Sequence, residues 1–228
     1  MAIIRDTTGA NALDVNAAGA ALVTLSPVRI TVANGGRYRI GMRSGLITTI
    51  AAHTATAGHL FVFRWGSATK TALVDKIRLQ LATVTDFTTL QQFAVGCRMA
   101  RSYTASHAGG TAATLTGDNC KLRSTYATTG TTDARMATTA ELTAGTHVID
   151  TQPILVLSTS APSAGATTDQ VPWANEFNGA SSGGPIVLAQ DQGFVVSNET
   201  LMGAAGTAIL AVELEWREYL NADVIAAI

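Results

Sequence analysis

The stretch TAILAVELEWREY, residues 207–219, has a strict repeat of two. Leu210, Val212, Leu214 and Trp216 alternate with Ala211, Glu213, Glu215 and Arg217, so an extended backbone puts the apolar set on one face and the charged set mostly on the other. A helix would scatter the same residues around its circumference. Strands with one apolar face bury it by stacking one sheet on another or by closing into a barrel.

The same alternation recurs along the chain. Val28, Ile30 and Val32 oppose Arg29 and Thr31, and Ile77, Leu79 and Leu81 oppose Lys76, Arg78 and Gln80. HLFVFRWGS is apolar on both sides (Phe61, Phe63 and Trp65 against Leu60 and Val62), which predicts a central strand covered on both faces or one feeding an interface. FAVGCRMARSY groups Phe93, Val95, Cys97, Met99 and Tyr103 as a strand, with Gly96 poor helix material. Further strands are expected at ALVTL, RYRIGM, KLRSTYAT, ARMATTAEL, ILVLS and PIVLAQ, punctuated by Asn34-Gly35-Gly36, Gly109-Gly110, Gly117-Asp118-Asn119 and Gly130.

Short strands at this spacing predict an all-β protein, a single jelly-roll-like β-sandwich, and 228 residues suit one domain. We expect residues 1–25 to form an N-terminal arm or edge strand and 26–228 the sandwich. Residues 158–184 read as a long loop whose large apolar anchors are Trp173 and Phe177.

Apolar residues make up 47% of the chain and charged residues 14%, so much of the exterior must be Thr, Ser, Ala, Gly and Asn, an unusual surface for a free cytoplasmic enzyme. A net charge of -1, with no run of Lys or Arg, offers no field for a phosphate backbone, so nucleic acid is not expected as a direct partner. Neither a signal peptide nor a membrane span is expected from the sequence. Cys97 and Cys120 are too few for a disulfide framework and read as reduced, small apolar residues.

One motif argues for chemistry. Ser181-Ser182-Gly183-Gly184-Pro185 resembles the nucleophile loop of trypsin-like serine proteases, and Ala51-Ala52-His53 upstream resembles their histidine segment, in the same chain order. In that reading Ser182 is the nucleophile and His53 the general base. The carboxylate candidates, Asp75 and Asp86, carry no matching surroundings, and Ser181 stands where the family has an acid that shapes the oxyanion loop. The alternative is a glycine turn leading into a strand.

The four histidines, His53, His59, His107 and His147, fall in separate segments without a zinc-ligand spacing, and Asp14 to Gly19 lacks the acidic positions and closing glutamate of a calcium loop. No metal and no cofactor is expected, and no phosphate-binding glycine motif is present. Arg98, Arg101, Arg123 and Arg135 read either as solvated strand residues or as partners of carboxylates across a subunit boundary.

One further likeness rests on RDTTGANALDVNAAGAALVTL, FRWGSATKTALVDKIRLQL, SYTASHAGGTAATLTGDNCKLRSTYATT with ARMATTAELTAGTHVIDTQPI, and PIVLAQDQGFVVSNET with AVELEWREY. Through these segments, over most of its length, the chain resembles structural proteins of tailed-phage virions, the sandwich proteins encoded among head and tail genes. It implies a non-enzymatic protein, located in the virion and assembled in the host cytoplasm, that cements or decorates the capsid as a homo-oligomer in contact with the major capsid protein or other virion proteins. A tail, collar or fibre-associated component is the alternative within this class, and the serine hydrolase is the alternative outside it. The segment PIVLAQDQGFVVSNET is then a strand, a polar turn and a second strand. Candidate contact residues are Ile3, Ile4, Arg5, Trp173, Phe177, Ile225 and Ile228, apolar or charged material near a terminus or in the long loop.

Overall fold

A computed structural model describes residues 35–87, 91–161, 173–203 and 206–221. Its strands are β1 (Gly36–Arg43), β2 (His59–Trp65), β3 (Lys70–Thr85), β4 (Gln91–Ala105), β5 (Thr111–Ala112), β6 (Thr131–Met136), β7 (Thr146–Ala161), β8 (Trp173–Asn178), β9 (Ile186–Leu188), β10 (Gln192–Asn198) and β11 (Thr207–Leu220). They form a five-stranded sheet, β1-β11-β3-β8 with β9 also paired to β3, and a six-stranded sheet, β5-β6-β2-β10-β4-β7.

The pairings are nested. Setting aside β5, β6 and the short β9, the remaining strands pair antiparallel first with last, β1 with β11, then β2 with β10, β3 with β8, and β4 with β7. Such a folded-over arrangement, shared between two stacked sheets, is a jelly roll. The expected β-sandwich is therefore the architecture of the described residues.

The core lies between the sheets. Trp216 of β11 meets Phe63 of β2 edge to face at 5.2 Å between ring centroids and stacks on Tyr38 of β1 at 5.5 Å. Ile77, Leu79 and Leu81 of β3 and Leu210, Val212 and Leu214 of β11 are buried, as their alternation requires, and Val74 joins them across a bulge in β3. β2 sits between β6 and β10 with both faces covered, only Arg64 being partly exposed, which matches the double apolar character of HLFVFRW.

Three expectations change. KLRSTYAT is not a strand: Lys121 makes a single bridge to Tyr38 and the residues after it turn, with Leu122 N–H donating to Arg37 O and Tyr126 N–H to Arg123 O. The long loop contains β8, whose Trp173 to Asn178 pair with Leu81 to Lys76. Tyr103 does not continue the face of Cys97 and Met99, because the β4–β7 register shifts between Arg101 and Ala105 and Ser102 takes a φ of 49°. The segments around Val28 to Val32 and ALVTL, the arm 1–25 and the Asp14–Gly19 stretch lie outside the described residues.

Candidate functional site

The protease-like motif sits at a break in an edge of the five-stranded sheet. β3 carries a bulge: Glu215 pairs with Lys76 and Trp216 with Val74, leaving Asp75 unopposed on β11. On the other side of β3 the edge is interrupted at the same level, β8 ending at Asn178 opposite Lys76 and β9 starting at Ile186 opposite Val74. Residues 179–185 bulge out between them. Gly179 N–H donates to Asp75 O, Ser182 N–H donates to Asn178 O, and Ser182 is exposed. Gly183 and Gly184 have φ of 85° and 138°, a backbone that explains the double glycine without a nucleophile.

His53 belongs elsewhere. It precedes β2 and packs against His59 with ring centroids 6.0 Å apart. Asp75, one candidate third member, is held by Arg217, whose Nε and a terminal nitrogen donate to its two oxygens at 2.8 and 2.7 Å. Asp75 is thus taken by Arg217 beside the turn that carries Ser182, while His53 stands among the other histidines.

The structure gathers the histidines that the sequence scatters. His59 opens β2, His107 follows β4 and His147 lies near the start of β7, yet their ring centroids are 4.9 to 5.5 Å apart. One ring nitrogen from each lies within 4.8 Å of the others, the donor set of a three-histidine metal centre. His59 Nδ1 is 2.8 Å from His107 Nε2. Away from this meeting point, His59 Nε2 is 3.1 Å from Thr54 O, His147 Nδ1 3.2 Å from Gly145 O, and His107 Nδ1 2.6 Å from Tyr103 Oη. The shift in β4 that turns Tyr103 away from Met99 sets its ring against His107 and His147, with the Arg64 guanidinium 5.9 Å from the ring centre.

Burial dominates the electrostatics. It lowers His59 to about 4 and His107 to about 3, and lowers His53 and His147 as well, because a charged imidazolium loses its hydration there. Neighbouring histidines add to the depression of all but His147, whose bond to Gly145 O opposes it. Burial also raises Tyr103, keeping its hydroxyl protonated. At neutral pH the cluster is uncharged and rich in lone pairs.

Sequence spacing could not reveal this cluster, since 48 residues separate His59 from His107 and strand pairing closes the gap. The local signal was weak: each of the three stands at the edge of a strand pattern, where a side chain reaches the loops capping the sheet.

Three of the four arginines have carboxylate partners within the chain. Arg98, buried in β4, is forked onto Glu199, with one N–H···Oε2 bond at 2.7 Å. Arg101 holds Asp150 and Arg135 holds Asp133, while Arg123 is exposed. Phe177 is half-buried against the core, and Trp173 begins β8 by pairing with Leu81. Ile3, Ile4, Arg5, Ile225 and Ile228 lie outside the described residues. Cys97 and Cys120 are free and buried, as expected.

No family model and no curated protein matches the chain. Among solved structures it is similar to a chain in the structure of infectious bursal disease virus Gx strain, with 16% identity, 85% of this chain covered and a TM-score of 0.13. The alignment spans 43% of that viral chain, and a likeness at this TM-score carries no argument about fold or function.

Proposed function

We propose that the protein is a non-enzymatic structural component of a phage virion, one that decorates or cements the capsid by bridging neighbouring capsid subunits. The observation that carries this reading is the nested strand order of the two sheets, an architecture that viral shells share with lectins and cupins. Because one fold hosts many functions, the order is joined to two further supports. The sequence resembles tailed-phage virion proteins, and only 14% of its residues are charged, so Thr-, Ala- and Gly-rich surfaces can pack closely with little side-chain ordering cost.

The partners in this reading are the major capsid protein and further copies of the chain, and no catalytic step is required. The test is cryo-electron microscopy of particles from the source phage. Density for this jelly roll on the icosahedral lattice supports cementing. Density at the tail vertex alone moves the protein to a collar, tail or fibre role, and absence from particles overturns the virion reading.

A further inference from the structure

We propose that His59, His107 and His147 form a binding site for one divalent transition-metal ion, with zinc the best fit. The argument starts from proton counting. A carbonyl oxygen only accepts, so the contacts to Thr54 O and Gly145 O place the protons of His59 on Nε2 and of His147 on Nδ1. A neutral imidazole carries one N–H, which leaves His59 Nδ1 and His147 Nε2 as lone pairs.

Without an ion, the arrangement cannot be satisfied throughout. His107 Nε2–H can donate to His59 Nδ1 while Tyr103 O–H donates to His107 Nδ1, but His147 Nε2 is then a buried acceptor with no partner among the described residues. His53 Nδ1 beside the cluster is likewise buried and without a partner there. With an ion, His107 Nδ1–H donates to Tyr103 Oη instead, and the three remaining lone pairs converge on the metal. Each ligand then has its second nitrogen bonded to a carbonyl or hydroxyl oxygen, the outer-shell support that orients metal-bound histidines.

The dimensions fit with small adjustments. Nitrogens bound tetrahedrally at about 2.0–2.1 Å lie roughly 3.3 Å apart. The close pair at 2.8 Å would open slightly and the widest separation, within 4.8 Å, would contract. Three imidazoles with no carboxylate in the set favour zinc, copper, nickel or cobalt over calcium or magnesium. The fourth position is left to water or another ligand.

The placement tells what the ion would do. Residues 106–145, between β4 and β7, make an excursion to the far edge of the same six-stranded sheet, where they carry β5 and β6. His107 and His147 stand at the two ends of this excursion, and His59 belongs to β2, the strand that β6 pairs with. A metal there ties both ends of the excursion to the middle of the six-stranded sheet. This inference does not depend on the virion reading, since a fastened jelly roll could serve another role.

The experiment uses the full chain without a histidine tag, stripped with a chelator and then titrated with Zn²⁺ or Co²⁺. Expected are one ion per chain by elemental analysis and calorimetry, a rise in melting temperature with zinc, and visible Co²⁺ absorption typical of four- or five-coordinate nitrogen ligation. His147→Ala, at the half-exposed corner, should lose at least tenfold in affinity while keeping its β circular dichroism. Tyr103→Phe, which keeps the ligands, should bind about 10- to 100-fold more weakly. Absence of stoichiometric binding and of a Co²⁺ spectrum in the folded wild type would overturn the proposal, as would undiminished binding by folded His147→Ala.

Discussion

Trp216 Nε1–H donates to Glu218 Oε1 at 3.0 Å, two positions along the same face of β11, and the carboxylate is fully buried. It also accepts from Gly130 N–H at 3.1 Å, from the Thr129 hydroxyl and from Lys70 Nζ at 3.3 Å. This one side chain joins β11, β3 and the turn into β6. In Glu218→Ala the indole and Gly130 N–H lose their acceptor and the Lys70 ammonium its counter-charge, so we expect a loss of about 3 kcal/mol in urea unfolding. A loss below about 1 kcal/mol would show that water replaces the carboxylate.

The turn carrying Ser182 is built by backbone geometry, which separates its residues by their tolerance to change. Ser182→Ala should alter stability by less than about 0.5 kcal/mol, as an exposed side chain does. Gly184→Ala should cost about 1 kcal/mol or more, because a φ of 138° is a glycine conformation. Folded protein should also fail to react with a fluorophosphonate probe. Labelling that disappears in Ser182→Ala would restore the hydrolase.

What was legible in the sequence was whatever depends on local periodicity. The alternation around Leu210 to Trp216 and Ile77 to Leu81 was readable because each side chain's face follows from its neighbour's. The switch at Asp75 was not, since a bulge is defined by the partner strand, and neither was the turn of Tyr103 away from Met99. WANEFN, with two asparagines and one glutamate among six residues, lacks a strand's usual composition and is a strand because the edge of β3 is there to receive it. The histidine cluster depends on three strands lying in one sheet, and no window of sequence contains that.

The Arg98–Glu199 pair offers a test of how a buried ion pair is held. Glu199→Ala strands a guanidinium that is 7% exposed, retaining Ser197 Oγ at 3.4 Å and Thr151 O at 3.5 Å as acceptors, and should destabilise by about 3 kcal/mol. Replacing both partners, Arg98→Met with Glu199→Leu, should recover most of that loss, since no uncompensated charge remains. Chemical denaturation of the two singles and the double gives the coupling. Additive losses would mean that the pair acts as two independent packing groups.

Cys97 links burial to behaviour in alkali. Burial lifts its thiol from the ordinary 9.0 to about 12, against a smaller opposing pull from Arg98. The folded state therefore keeps a proton that the unfolded state releases, so this contribution to stability is intact below about pH 9 and is lost as the pH rises toward 12. Two measurements follow. At pH 8 the native protein should leave Cys97 unmodified by a thiol reagent that reacts readily in urea, because the thiolate is the nucleophile and the side chain is enclosed. In urea titrations between pH 9 and 11, wild-type stability should fall more steeply than that of Cys97→Ala, whose smaller side chain lowers stability at every pH but cannot ionise. Parallel pH profiles would place the alkaline sensitivity in Tyr38 and Tyr103, which burial also raises.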